Sequence, residues 1–297
     1  MMAIYSIRDL EQLTGIKKHT IRIWEQRYNL ITPKRTDTNI RYYTVDELRL
    51  LFNIALLNRN GYKINKLAKM TRDEITGVVD HISKRNDGSS SKIDALTLAM
   101  LNLDERSFEE IFSISIEEIG FEHTMATLIY PLLENLKALW ITRSINPAHE
   151  KFITHLIQRK LLRAIDEAHL PENYNSQLFF LFLPEEEAQE LTLLFVYYLL
   201  RQRGFRVIYL GGQTSLSDVK DACTAAPAGF VFSIIDNPLP RQSVQNYINQ
   251  IALSTGNNRV LLTGSQLAQH HANLVLPPNV SVLDGFNDTL AFLDSLK

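Results

Sequence analysis

The chain has 297 residues, enough for about two domains, or three small ones, at the usual ~100–150 residues each. Hydrophobic residues make up 45% and charged residues 22%, a globular rather than a disordered composition. No apolar run reaches the ~18–20 residues of a membrane span, and the start MMAIYSIRDLEQL lacks the basic-then-apolar order of a secretory signal, so a cytoplasmic protein without a membrane partner is expected. One cysteine, Cys223, excludes an internal disulfide and a cysteine-based zinc site. The net charge of −2 is unevenly spread: residues 1–76 hold 14 Lys/Arg against 8 Asp/Glu, and residues 77–297 hold 17 against 25. A basic head on an acidic body points to a polyanion as the partner of the head.

The first helix is expected in YSIRDLEQLTGI, where Ser6 and Asp9 have capping-box spacing and Ile7, Leu10 and Leu13 recur helically before Thr14-Gly15 breaks the pattern. A second follows in KKHTIRIWEQRYNL, with Ile21, Trp24 and Tyr28 on one face and Lys18, Arg22 and Gln26 on another. Two short helices joined by a glycine turn, the second basic, are the pattern of a helix-turn-helix. Pro33 ends the second helix, Asp37-Thr38-Asn39 reads as a turn and residues 40–43 as a returning strand, together a small wing. Helices are expected over 45–60 and 64–75, parted by Gly61. The stretch SKRNDGSSSK loses all apolar periodicity and reads as a linker.

Four helical stretches follow, 93–103, 107–119, 123–140 and 147–168, whose short connections predict an antiparallel four-helix bundle. Beyond Pro171 the runs QLFFLFL, FRVIYL, GFVFSII, RVLLTG and NVSVLDG alternate with helical segments beginning near Glu186, Ser215, Leu239, Ser265 and Phe286. That alternation predicts a parallel five-stranded α/β domain of flavodoxin-like type. The fold class is therefore multi-domain α and α/β, divided as a winged helix-turn-helix over 1–76, a linker over 77–91, a bundle over 92–170 and a Rossmann-like domain over 171–297.

The stretch TGIKKHTIRIWEQRY, followed by the proline and arginine of LITPKR and by IRYYT, closely resembles the DNA-binding domain of the MerR family of transcriptional regulators, through to about residue 76. The resemblance implies a double-stranded DNA operator as partner. Lys18, His19, Thr20 and Arg22 are then placed to reach base edges and phosphates, where forked arginine donors match guanine and phosphate oxygens. Tyr28, Lys34, Arg35, Arg41 and Tyr42 fall at the wing and flanking backbone, where contacts fix register. Lys17 departs from the family's small polar cap and adds a cation at the cost of capping.

The order of parts in the remainder resembles the cobalamin-binding half of the CarA/CarH-type light-responsive repressors, a MerR branch. In that family a tryptophan over the corrin is followed by a Glu-His pair; here Trp140 and Glu150 match, and Lys151 stands in place of the histidine. The family's Glu/Asp-x-His-x-x-Gly stretch falls on PEEEAQEL, which puts Glu186 at the acid, Ala188 at the cobalt-ligating histidine and Leu191 at the glycine. Ser233 matches the serine beside the nucleotide tail, and Gly264 keeps half of a glycine pair. Alanine cannot coordinate cobalt and Leu191 fills space a glycine leaves open. Glu185, Glu186, Glu187 and Glu190 are expected to complement the dipole of the following helix, and they repel phosphate.

No nucleophile elbow, P-loop or dinucleotide fingerprint occurs, so no enzyme is expected. The expected function is sequence-specific DNA binding in transcriptional control, with no cofactor and no metal. The C-terminal half then serves homo-oligomerisation or protein contact, RNA polymerase or a regulatory protein being further candidate partners. The alternatives are a regulator sensing cobalamin or another small molecule, and a corrinoid carrier or enzyme.

Overall fold

The computed structural model describes residues 4–36, 39–59, 61–83, 89–141, 147–168, 177–185, 187, 190–226, 229–239, 242–270 and 273–296. It divides into two compact units, Met1–Leu156 and Ile157–Lys297.

In the first unit, β1 (Ile4–Tyr5) leads into α1 (Ile7–Thr14). The Ser6 hydroxyl accepts from the Asp9 amide and the Asp9 carboxylate from the Ser6 amide, which satisfies two orphan donors at once. Gly15 closes the helix at φ 69, where its N–H bonds to the Glu11 carbonyl; a Cβ there would lie 3.2 Å from Nη2 of Arg59. Next come α2 (Lys18–Tyr28), β2 (Lys34–Arg35) and β3 (Arg41–Thr44). The wing pairs Lys34 with Tyr42 and Arg35 with Arg41, and the opposite edge of β3 takes β1, with Tyr5 beside Tyr43. Two residues are too short for a periodic signal, so this third strand is not legible in the sequence. Of the expected turn, Asp37 and Thr38 lie outside the described residues.

α3 (Val45–Arg59) starts from Thr44, whose amide donates to the Glu47 carboxylate at 3.0 Å and whose hydroxyl bonds to the same oxygen. Burial alone would raise that carboxyl; the Thr44 bonds and Arg72 at 3.6 Å outweigh it and hold the group below its ordinary range. The single helix expected over 64–75 is two, α4 (Ile64–Leu67) and α5 (Arg72–Ser83). The cause is a second capping box: the Thr71 amide donates to Glu74 at 2.8 Å and the Glu74 amide to the Thr71 hydroxyl at 3.2 Å.

Helix α5 runs through Ser83 and α6 (Ser89–Asn102) begins four residues before the expected start, so 77–83 and 89–91 are helical rather than linker, and 84–88 lie outside the described residues. α7 (Glu105–Ile119) is capped by Asp104. The third bundle stretch is a composite of α8 (Phe121–Thr124), a wide π-helical turn at Met125–Ile129 and α9 (Tyr130–Ile141), in which the Tyr130 amide reaches back five residues to the Met125 carbonyl. Pro131, which has no N–H to donate, follows directly. α10 (Pro147–Glu167) spans the division between the units. Helix α3 packs on α5 and α6, and α1 on α9. Arg59 pairs with Asp94 of α6 and donates to the Thr14 carbonyl at 2.9 Å, while Arg49 donates to the Leu101 carbonyl at 2.7 Å.

The second unit alternates β4 (Leu178–Phe182), α11 (Glu190–Gln202), β5 (Arg206–Gly211), α12 (Leu216–Ala225), β6 (Phe230–Ile234), α13 (Val244–Ser254), β7 (Arg259–Thr263), α14 (Ser265–His270), β8 (Val280–Leu283) and α15 (Gly285–Ser295). The five strands are parallel in the order β5-β4-β6-β7-β8, the flavodoxin-like arrangement. β4 and β6 are buried throughout, as strands covered on both faces must be. The order reverses between β4 and β6, and their carboxyl ends form the crevice where open α/β sheets take ligands.

Gly264 ends β7 at φ 128, where a Cβ would stand 2.4 Å from the Ile235 carbonyl oxygen and 2.8 Å from its nitrogen. Gly256 also has positive φ, at 62, but open space around it. Gly264→Ala should therefore destabilise by about 1–3 kcal/mol more than Gly256→Ala, since overpacking against backbone adds to the dihedral strain both share. Urea unfolding of the two full-length variants measures the difference, and equal losses would refute the close-packing account.

Candidate nucleic-acid interface

Helix α2 is oriented by its apolar face. Ile21 is fully buried and Trp24 is 7% exposed, so Trp24 belongs to the core. Burying that face turns Lys18, His19, Arg22, Ile23, Gln26 and Arg27 outward, with Thr20 half-buried beside them. Lys17 occupies the cap position without a side-chain bond to the helix, and its ammonium lies 3.7 Å from Glu11 on the preceding helix, highly exposed. Asn29 at φ 47 ends the helix, and the Arg27 guanidinium sits 5.6 Å over the half-buried Tyr28 ring.

Two short strands hold the basic wing. Lys34, Arg35 and Arg41 are exposed and Tyr42 is half-buried. Arg35 donates to the Asn39 side chain at 2.6 Å, and the Thr36 amide bonds to the Ile40 carbonyl at 2.9 Å, so the tip is closed by its own bonds. Ile40 is 64% exposed there. Helix and wing are tied by Glu25, which accepts from the buried Tyr43 hydroxyl at 3.1 Å and has the Arg41 guanidinium at 3.8 Å. Burial, then the Glu25 charge and its hydrogen bond, push the Tyr43 phenol up to about 12, so at neutral pH it stays a donor.

All ten residues expected to face DNA thus lie on α2, its cap, or the adjoining wing. Ile23, Arg27 and Ile40 share this surface and are missed by sequence reasoning; the signal for Ile23 and Arg27 was the helical spacing that already placed Arg22 and Gln26 outward. A basic helix beside a basic two-stranded wing can seat on duplex phosphates while presenting donors and an apolar side chain to base edges.

The residues matched to the cobalamin family divide between the two units. Trp140 lies in α9 with its side chain outside the described residues, and Glu150 and Lys151 lie on α10, half-buried and exposed respectively. His149 beside them is half-buried; burial, then the Arg49 charge, lower its affinity for a proton. Glu186 and Ala188 lie outside the described residues. Leu191 is half-buried in the first turn of α11, Ser233 is fully buried in β6, and Gly264 ends β7. Helix α11 begins at Glu190, so Glu185 and Glu187 precede it rather than line its first turn.

Glu187 does something the sequence did not suggest. Its carboxylate crosses the end of the sheet and accepts from the amides of Asp236 at 2.8 Å and Asn237 at 2.9 Å, and from the Asn237 side chain at 3.2 Å. Asp236 in turn accepts from the Ser265 amide at 2.6 Å, and the Ser265 hydroxyl donates to the Asp236 carbonyl at 3.0 Å. The Asp236, Asn237 and Ser265 amides beside the β4/β6 crevice, donors an anionic ligand could use, are taken by the chain itself. With alanine where the resemblance places the ligating histidine, and the Glu187 carboxylate bonded across the crevice, the residues present do not fit a corrinoid with a nucleotide tail.

Among the described residues no cluster of His, Cys, Asp and Glu could hold a metal, and no helix is long and apolar enough to cross a membrane.

Residues 5–74 match the family described as MerR HTH family regulatory protein. The chain is 26% identical over 237 residues to the HTH-type transcriptional repressor CarH of Myxococcus xanthus, spanning 76% of this chain and 77% of that one. It is 23% identical over 219 residues to the repressor CarA of the same organism, spanning 73% and 71%. Among solved structures, the monomethylamine corrinoid protein of Methanosarcina barkeri superposes with a TM-score of 0.50 at 11% identity, covering 71% of this chain and all of the other, a likeness of fold. The chain is accordingly a MerR-type helix-turn-helix transcriptional regulator, homologous to CarH and CarA, whose C-terminal half has the fold of cobalamin-binding domains.

Proposed function

We propose that this regulator binds a duplex operator in the cytoplasm through α2 and the wing, and that its C-terminal half works in self-association or protein contact without a corrinoid. The observation that carries the second statement is the Glu187 carboxylate bonded to the Asp236 and Asn237 amides across the sheet-end crevice. On this reading Lys17, Lys18, His19, Thr20 and Arg22 meet bases and phosphates, and Tyr28, Lys34, Arg35, Arg41 and Tyr42 fix register. Gly264 persists because the Ile235 backbone leaves no room for a side chain, a reason independent of any ligand. The division into a helix-turn-helix, a bundle over 92–170 and a Rossmann-like domain belongs to the same proposal.

Ligand sensing is the second reading, and one observation favours it: the Ser233 hydroxyl is fully buried with no hydrogen-bond partner among the described residues. Buried hydroxyls left alone are costly, and a bound molecule is one way to satisfy them.

Operator affinity should fall steeply with salt, log K dropping by about 0.9 for each neutralised phosphate per tenfold rise in concentration. Arg22→Ala should weaken binding by ~1–3 kcal/mol and relax base preference, whereas Arg41→Ala should weaken all sequences alike. Mobility shifts on specific and scrambled duplexes separate the two; a salt-insensitive complex would sink the DNA reading.

Adenosylcobalamin or methylcobalamin titrated into the full chain should leave the cobalamin visible spectrum unchanged. A saturable change at micromolar concentration would remove the corrinoid-free reading. The double variant Ala188→His, Leu191→Gly asks whether the scaffold regains binding once the ligand and the gap return.

Light scattering at micromolar concentration should report an oligomer without added cofactor. A monomer that also binds DNA without cooperativity would count against self-association, because modules of this size gain affinity by pairing on repeated half-sites.

A further inference from the structure

Charge is unevenly distributed over the α/β domain. Residues 242–283 contain one Lys, Arg, Asp or Glu, Arg259, where the chain's 22% charged content would place about nine. This stretch builds α13 and α14, which with α12 cover one face of the sheet and join its apolar cluster through Val219, Ile248 and Leu267. Arg259 turns to the opposite face, 5.2 Å over the Phe230 ring that meets Phe292 of α15. Helix α12 exposes Asp218, Lys220 and Asp221, so the uncharged area belongs to α13, α14 and the segment that leads into β8. Among the described residues from 177 onward, the exposed large apolar side chains are all here: Leu253 at 83%, Val275 at 76% and Leu276 at 40%.

These side chains are held in place. Gln245 on α13 donates to the Val275 carbonyl at 2.8 Å and accepts from the Val275 amide at 2.8 Å. Farther along, the Asn279 side chain donates to the Ala252 and Gly256 carbonyls at 3.1 and 3.2 Å. The segment from Val275 to Asn279 therefore lies along α13 in one position, and little further ordering is needed for it to dock. At the amino end of α13 a pocket of about 320 Å³ opens, lined by Gln242, Val244 and Gln245 with Gln266 and Leu274. At the ~30 Å³ that a water occupies in the liquid it takes roughly ten water-sized groups, ample for a leucine side chain. Leu253 stands at the other end of the same helix, and its exposed neighbours on that side, Asn246, Asn249 and Gln250, are amides.

We infer that this face is where a second copy of the chain docks, α13 packing antiparallel on its own counterpart about a two-fold axis near Asn249. Residues 77–297 hold 17 Lys/Arg against 25 Asp/Glu, so two such bodies repel where their charged surfaces meet, and contact through α13 brings no like charges together. An antiparallel pair sets the Leu253 end of each helix against the pocket end of the other. Knob then meets hole in both directions, the self-complementarity that a two-fold contact requires. Apolar side chains among amides, without charge, are also the composition of an interface core. The inference rests on the self-association proposed above and names its surface.

Sedimentation equilibrium of the full chain at micromolar concentration should give a dimer, or a multiple of it, that an about tenfold rise in salt leaves intact, since no ion pair holds it. Leu253→Glu puts a carboxylate at an exposed position, keeps the circular dichroism of the fold, and should weaken self-association at least about tenfold. Gln202→Glu, the same charge at an exposed site on α11, should not. In a Cys223→Ser background, Asn249→Cys should form a disulfide-linked dimer under mild oxidation, and Ala225→Cys, exposed on α12, should run as a monomer on a denaturing gel. A monomeric unmodified chain overturns the self-association reading and this surface together. An oligomer that Leu253→Glu leaves undiminished, or that Asn249→Cys fails to cross-link, overturns the surface alone and leaves self-association standing.

Discussion

The organisation of the first unit rests on the guanidinium of Arg59. It donates to the Thr14 carbonyl at the end of α1, stands over Gly15 where any side chain would crowd it, and pairs with Asp94 on the first bundle helix. Asp94 is mostly buried; burial raises its carboxyl and the Arg59 charge pulls it back only in part. Moving α6 away from the helix-turn-helix would separate that carboxylate from the guanidinium that answers its charge. The turn that sets the angle of α2 and the start of the bundle are thus held by the same charge.

Carboxylates act as brackets elsewhere in the chain. Glu25 holds α2 to the wing through Tyr43 and Arg41, and Glu47 closes the start of α3 against Thr44 and Arg72. Glu187 joins the loops after β4 and β6. In each case the acid meets a donor from another element, so these carboxylates are more than a solvated surface. The basic surplus of the head has two uses: Arg49 and Arg59 donate to the Leu101 and Thr14 carbonyls as structural cations, and the exposed basic residues of α2 and the wing give that face a cationic surface.

Much of this was legible in the sequence. Helical spacing of Ile21, Trp24 and Tyr28 identified the buried face of α2 and therefore the exposed one, and the alternation of five apolar runs with helices gave the parallel sheet, because strands covered on both faces must be apolar throughout. What escaped was of two kinds. β1 and the break at Thr71 are decided by a few hydrogen bonds, and although Thr71 and Glu74 have capping-box spacing, a continuous helical pattern outweighed it. The crossing of Glu187 to Asn237 joins residues fifty positions apart, and nothing local in PEEEAQEL distinguishes a bracket from a helix-dipole acid.

The Glu187 bridge has a consequence for how this sheet end meets the metabolite pool. A carboxylate tethered by a short loop behaves as a competitor at very high effective concentration, of the millimolar order or above, and unlike a free molecule it cannot be diluted or exhausted. A phosphate or carboxylate arriving from solution must displace an acceptor already bonded to three N–H groups and restore water to it. A small anion from solution thus meets, at these two loops, amides that already have an acceptor, and its entry there costs the breaking of bonds within the chain.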